Sequence, residues 1–359
     1  MQELQPSFER FETVELSGFY SAMPSSKTIM VLSQGSVNET ACVTSFTYRS
    51  TLLPFFYSIC VLLGLTLNTF VFWSLFFKDK KWNPSSLFML NLATTDFFFA
   101  VSLILMIYSF IVNNSWVFGD TMCRLVRFMF SFNMYGSILF LTAISLYRYL
   151  GICHPIASRQ WQTLRVAAVL CVLVWAITLM ETLPFVHFAG TYSDVNTNLT
   201  RCYSLVMFDS TVTAYGITVI TLGFMVPFFT IMVFNSCMIH ALRKSMSGAI
   251  AMQEETRFQR SRAVRTISLV SIIFTICHLP YHINKIVFWG FTICGNERIH
   301  DIMMCLASFN CCFNPALYLV NRAHSQAHSD PRDQRGTKPE TSGPGERVPP
   351  SLEAPSAMR

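Results

Sequence analysis

Residues 52–77 read LLPFFYSICVLLGLTLNTFVFWSLFF, and from Leu52 to Phe77 there is not one charged side chain. A helix rises about 1.5 Å per residue, so about 20 mostly apolar residues cross a roughly 30 Å hydrocarbon layer. Six further stretches of this kind follow. Ser85 to Trp116 carries only Asp96. The third runs from about Thr121 to Gly151, with Arg124 and Arg127 near its start and Arg148 near its end. The others are Val166 to Phe188, Ser210 to Met238, Thr266 to Trp289 and Ile302 to Val320. Lipid offers backbone groups no partner, so stretches this long are helices. The expected fold is all-α, a seven-transmembrane helix bundle.

Composition agrees. Hydrophobic residues make up 52% of the chain and charged residues 13%, about half the charged share of a soluble domain. The net charge of +6 does not mark a nucleic-acid binder, because the basic residues gather in the loops of one side. Lys78, Lys80 and Lys81 follow the first span; Arg148, Arg159 and Arg165 bracket the second loop of that side. Arg243, Lys244, Arg257, Arg260, Arg262 and Arg265 occupy the third. The positive-inside rule then puts the N-terminus outside and the C-terminus in the cytosol. The expected organisation is an extracellular tail over 1–49, a membrane domain over 50–322 and a cytoplasmic tail over 323–359. That last segment is rich in Pro, Gly, Ser, Glu and Arg, a composition expected to be disordered. No cleavable signal peptide is expected, since the best early apolar run is only Thr28 to Leu32.

Three glycosylation sequons begin at Asn38, Asn113 and Asn198, all on segments assigned to the outer side. Cys42, Cys123, Cys202 and Cys294 lie on that side too, and four cysteines allow three pairings. The remaining eight read as small apolar residues.

Polar groups inside a bilayer are costly and point to function. Asn68, Asp96, Ser137, Asn310 and Asn314 fall within the first, second, third and seventh spans. They read either as an interhelical hydrogen-bond cluster or as a monovalent-cation site that biases a switch. Arg148, flanked by Tyr147 and Tyr149, lies 25 residues after Cys123, about 38 Å along a helix and so at the opposite surface. No metal-ligand motif or nucleophile–base pair stands out, so an enzyme is not expected.

Taken in order, these residues resemble the rhodopsin-like (class A) G protein-coupled receptors over about Arg49 to Asn321. The marks are Asn68, Leu90-Asn91-Leu92-Ala93-Thr94-Thr95-Asp96, Tyr147-Arg148-Tyr149, Trp175, Pro227, Pro280 and Asn314-Pro315-Ala316-Leu317-Tyr318. A narrower resemblance, to the metabotropic purinergic (nucleotide) receptors, rests on Trp116-Val117-Phe118-Gly119-Asp120 and Ser137 to Ser145. Arg148 to Pro155, and Leu279-Pro280-Tyr281-His282 with Lys285, carry it further. Neighbouring branches bind carboxylates, lysolipids or peptides.

The resemblance implies a plasma-membrane receptor that answers an extracellular anionic ligand, a nucleotide first, and signals through a heterotrimeric G protein, with arrestin as a further partner. It implies the disulfides Cys123–Cys202 and Cys42–Cys294. It implies an allosteric sodium ion among Asp96, Ser137, Asn310 and Asn314, and no other cofactor. Its ligand set carries over to Arg127, Phe130, Ser131, Tyr135, His282 and Lys285. Its switch carries over to Tyr147, Arg148, Tyr149, His278, Pro280, Asn314, Pro315 and Tyr318. Four positions depart from the pattern. Met304 stands in place of an arginine and Ser204 in place of its pairing acid, His278 in place of an aromatic residue, and Asn235 in place of a tyrosine. The tail after Asn321 has no cysteine for palmitoylation. These departures keep a poorly signalling receptor-like protein as an alternative; a transporter would need a polar path through the bundle.

Overall fold

The structure is a computed structural model that describes residues 39–78, 82–194, 198–203, 210–247, 254–287 and 296–315. Asn38, Ser204, Cys294, Tyr318 and the 323–359 tail lie outside the described residues, and with them the Cys42–Cys294 pairing. From Thr40 onward the described chain forms one compact unit.

Seven spans pass in order through the bundle. They are α1 (Glu39–Trp73), α2 (Pro84–Ile111), α3 (Gly119–Cys153), α5 (Leu164–Phe188), the pair α6 (Ser210–Ile220) and α7 (Val226–Ser247), α8 (Glu254–Val287) and α9 (Asn296–Ser308). A four-residue helix, α4 (Pro155–Ser158), lies between α3 and α5. Among the described residues, six spans are long and apolar enough to cross a membrane. The seventh is α9, which breaks at Phe309 and is helical again over 310–315.

Local chemistry sets several ends. Asn83 caps α2 by accepting from the Ser86 amide at 2.8 Å, with Pro84 as the first helical residue. Thr163 caps α5 by accepting from the Val166 amide. The first and sixth spans run beyond their apolar windows, because polar residues such as Arg257 and Arg260 propagate a helix in water as well as in lipid.

The fifth span is not regular. Residues Thr221–Met225 form a π-helical turn between α6 and α7, just before Pro227. Such turns widen a helix where a neighbour must fit. Here Gly223 faces the Tyr135 ring of α3 and the Glu181 carboxylate of α5.

Among the described residues the bundle is helical throughout apart from one short hairpin. β1 (Gly190–Asp194) and β2 (Leu199–Tyr203) pair as an antiparallel hairpin, with Thr191 opposite Cys202. The core centres on α3, whose Tyr135, Ile138 and Phe140 are fully buried.

Candidate ligand site and switch

At one end of the bundle the Cys123–Cys202 disulfide hangs β2 on the first turns of α3. The segment Trp116 to Asp120 completes this fastening. Gly119 takes φ of +78°, a conformation open to glycine, as the chain turns into α3. The Trp116 amide donates to the Thr200 carbonyl at 2.7 Å, and its indole to the Gly119 carbonyl at 2.8 Å. Asp120 accepts from the Thr191 amide at 2.7 Å and from Arg124 at 2.5 Å. Asn113 and Asn198, both with positive φ, are exposed at this end.

Against the hairpin lies a cavity of about 190 Å³ whose walls include Arg49, Arg127, Arg201, Asp301, Tyr57 and Tyr203. Arg127 reaches it from α3, one turn past the disulfide. Its Nη2 donates to the Cys202 carbonyl at 2.9 Å, while its Nε is buried with no hydrogen-bond partner among the described residues. Arg49 of α1 and Asp301 of α9 form an ion pair at 2.7 Å. Met304 also lines the cavity and brings no charge.

The other predicted ligand residues sit further along. Phe130 packs edge-on against Phe99 and Tyr281, at 5.9 and 5.8 Å between ring centres. Ser131 is buried. Two turns beyond Arg127, Tyr135 faces His282 at 5.8 Å, and His282 stacks on Phe224 at 3.9 Å. The Tyr135 hydroxyl and both His282 ring nitrogens are buried without hydrogen-bond partners among the described residues. Lys285 points its ammonium over the rings of Phe185 and Tyr281, at 5.4 and 5.9 Å. The two predicted cations therefore stand in different surroundings: Arg127 on the cavity, Lys285 in an aromatic box. Arg49, Arg201, Asp301 and Glu181 were not singled out from the sequence. Glu181 was the most accessible of these, a lone acid in an apolar stretch.

In the middle of the bundle Asp96 is fully buried. It accepts from Asn133 at 2.7 Å, Asn314 at 3.1 Å and Ser137 at 3.4 Å, joining α2, α3 and the 310–315 helical segment. Asn133 is a further partner beyond the predicted set. Asn310 is buried nearby on the chain but is not among these donors. Asn68 donates to the Gly64 and Cys311 carbonyls at 2.8 and 3.0 Å. Trp175 donates to Asn91 at 2.8 Å, which pins α5 to α2. His278 is fully buried against Phe274.

At the end opposite the disulfide, Tyr147 packs on Phe88 and Tyr149 stacks on Phe234 at 4.8 Å, with Arg148 between them in sequence. Asn235 donates to the Ser271 hydroxyl at 2.7 Å, tying α7 to α8.

The sequence pattern of the seven-transmembrane receptors of the rhodopsin family matches residues 67–318. The chain belongs to that family. This receptor is similar to purinoceptor 4 of Rattus norvegicus, 32% identical over 311 residues, or 83% of this chain and 84% of that one. It is similar to purinoceptor 3 of Meleagris gallopavo, 36% identical over 72% of this chain and 78% of that one. Purinoceptor 6 of Rattus norvegicus is 38% identical over 68% of this chain and 74% of its own. This receptor is thus a multi-pass protein of the plasma membrane related to those purinoceptors, and not an enzyme.

Proposed function

We propose that this receptor binds an extracellular nucleotide at the disulfide end and activates a heterotrimeric G protein at the opposite end. The observation that carries the reading is Arg127. Its guanidinium is anchored at one nitrogen by the Cys202 carbonyl and keeps a buried Nε, unpartnered among the described residues, on a cavity walled by tyrosines. A phosphate oxygen satisfies such a donor with a charge-assisted bond, and tyrosine rings give a base or sugar a surface to pack on. Relatives named as purinoceptors favour a nucleotide over the carboxylate, lysolipid or peptide of neighbouring branches.

Binding transmits only as much bias as the ligand's differential affinity for the two states. The sixth span turns about Pro280 in this reading, and Arg148 meets the G protein, with arrestin as the later partner. Sodium is assigned to Asp96 on the ground that a buried carboxylate beside a serine hydroxyl offers a hard cation oxygen ligands, with the amides of Asn133 and Asn314 donating to the same carboxylate.

The test is a screen of nucleotides, dicarboxylates and lysolipids on expressing cells, read by calcium and cyclic AMP. A nucleotide response is expected. In Arg127→Ala it weakens by about 1.5–3 kcal/mol, roughly 10- to 150-fold in potency, at unchanged surface expression. A response to lysolipids alone, indifferent to Arg127→Ala, would sink the nucleotide assignment.

A further inference from the structure

We propose that Ser245 is a phosphorylation site, and that a phosphate there, held by Arg260, fastens the end of α7 to α8. This lies outside the nucleotide site. It rests on one part of the reading above, that this end of the bundle faces the cytosol and meets the G protein.

Asn235 ties α7 to α8 through the Ser271 hydroxyl, at 2.7 Å. A second tie lies about three turns further along both helices, roughly 15 Å away. There Arg260 donates from Nη1 to the Ser245 hydroxyl. The two ties are in register for an antiparallel pair. The second falls in the last turn of α7 and the second turn of α8, at the end opposite the disulfide. Ser245 is exposed.

The sequence around that hydroxyl suits a kinase that selects basic residues ahead of its target. Arg243 and Lys244 precede Ser245, and Met246 follows. Both cations are exposed and open to an acidic substrate groove. The last turn of a helix has carbonyls without helical partners and opens more easily than its middle, so the segment can extend into such a groove. Phosphoryl transfer breaks the bond between the γ-phosphorus of ATP and ADP. It forms a bond from Ser245 Oγ to that phosphorus and releases the hydroxyl proton. A neutral hydroxyl becomes a group of charge about −1.5 to −2.

Arg260 gives that charge a mechanical effect. A guanidinium presents five N–H donors in a planar fork, and a hydroxyl offers the fork a single oxygen. A phosphate offers three, and bonds to it are charge-assisted. Arg257, exposed and one turn earlier on α8, adds a cation to the same face. One effect opposes this. An anion in the last turn of α7 meets the negative end of the helix dipole. For a surface charge that effect is weaker than a direct bond between guanidinium and phosphate. The phosphate therefore grips α8 rather than unwinding α7. In the reading above the sixth span turns about Pro280, and a stronger bond from α7 to its cytosolic end resists that turn. The phosphorylated receptor couples less well, by a brake inside the molecule that needs no arrestin.

The experiment has two arms, both on the full chain. In the first, expressing cells are treated with phorbol ester, which activates a kinase of this basic-directed class, and Ser245 is followed by phosphopeptide mass spectrometry. Phosphate is expected on Ser245, and little of it when Arg243→Gln and Lys244→Gln are combined. If Ser245 stays unmodified, the site is overturned. In the second arm, receptor with phosphate installed on Ser245 during translation is placed in lipid nanodiscs. Amide hydrogen exchange is read over the end of α7 and the start of α8. The phosphate is expected to slow exchange there about 10-fold, the scale of a bond to a charged group. Arg260→Gln removes the slowing and Arg260→Lys keeps part of it. Equal exchange with and without phosphate, or slowing that survives Arg260→Gln, overturns the fastening. The same particles then receive purified G protein and ADP, and GTP binding is followed. Coupling that falls with phosphate in wild type, but not in Arg260→Gln, supports the brake. If exchange slows while coupling is unchanged, the fastening stands and the brake is refuted. If unmodified receptor gives no response to ADP or any other nucleotide, the nucleotide reading fails, and the exchange result still decides the fastening.

Discussion

Asp96 shares two carboxylate oxygens among Asn133, Ser137 and Asn314. An acid in the second span is conspicuous in the sequence because its span is otherwise free of charge. Asn133 is less so, although its place four residues before Ser137 puts both on one face of α3. In the proposed sodium site, removing the charge should remove the ion. ADP affinity in sodium chloride is expected to fall relative to choline chloride by about 5- to 150-fold, the usual range of allosteric coupling. Asp96→Asn should bind ADP equally in both salts, and a persistent sodium effect in that variant would count against the site. The ligand residues show where residue-level reading ends. Helical spacing places Arg127 and Lys285 near the same end of their helices, yet it cannot say which neighbours each will meet. Phe185 and Tyr281 claim Lys285, and Arg127 alone of the two lines the cavity. Arg49 and Asp301 stand 252 positions apart, and no local pattern pairs residues at that distance.

At the scale of elements, the fifth span carries two testable contacts. Gly223 sits in the π-helical turn, and a Cβ there would come within 2.8 Å of the Tyr135 ring and 3.0 Å of the Glu181 carboxylate. Gly223→Ala is expected to destabilise the receptor by about 1–3 kcal/mol, the cost of overpacking a tight site. A thermal-shift assay would show it as a lower melting temperature, and a smaller ring partner, Tyr135→Leu, should recover part of the loss. Further along, Asn235 holds Ser271 across α7 and α8. In the proposed mechanism these helices part when the G protein binds. Ser271→Ala removes one hydrogen bond of about 0.5–1.5 kcal/mol, which should raise basal signalling roughly 2- to 12-fold. Equal basal cyclic-AMP and calcium levels in the variant and wild type would show that the contact does not restrain opening. The span itself was legible as an apolar run with Pro227. Its π-helical turn was not, because it answers to the Tyr135 ring, which belongs to another helix.

For the whole molecule, apolar runs separated by charged loops were enough to reach a seven-helix bundle, since lipid leaves the backbone so few choices. The hairpin between the fourth and fifth spans was out of reach of that logic, because it lies where water competes and pairing depends on contacts to α3. The Cys123–Cys202 bond closes a separation of 79 residues. Chain entropy puts its contribution at roughly 4–5 kcal/mol, an upper value here because the membrane already confines the spans. Cys123→Ser with Cys202→Ser should therefore lower surface expression and weaken ADP binding together. Normal expression and affinity would mean that the other fastenings suffice. Those fastenings, from Trp116, Asp120 and Arg127, all gather at the start of α3 or just before it. The hairpin and α3 consequently make one mechanical piece, with Arg148 near its far end. A binding protein that gripped the exposed Tyr192 and Ser193 edge would act on that piece from outside the cavity. For pharmacology this means that an antibody could change the response to a nucleotide without competing for its place.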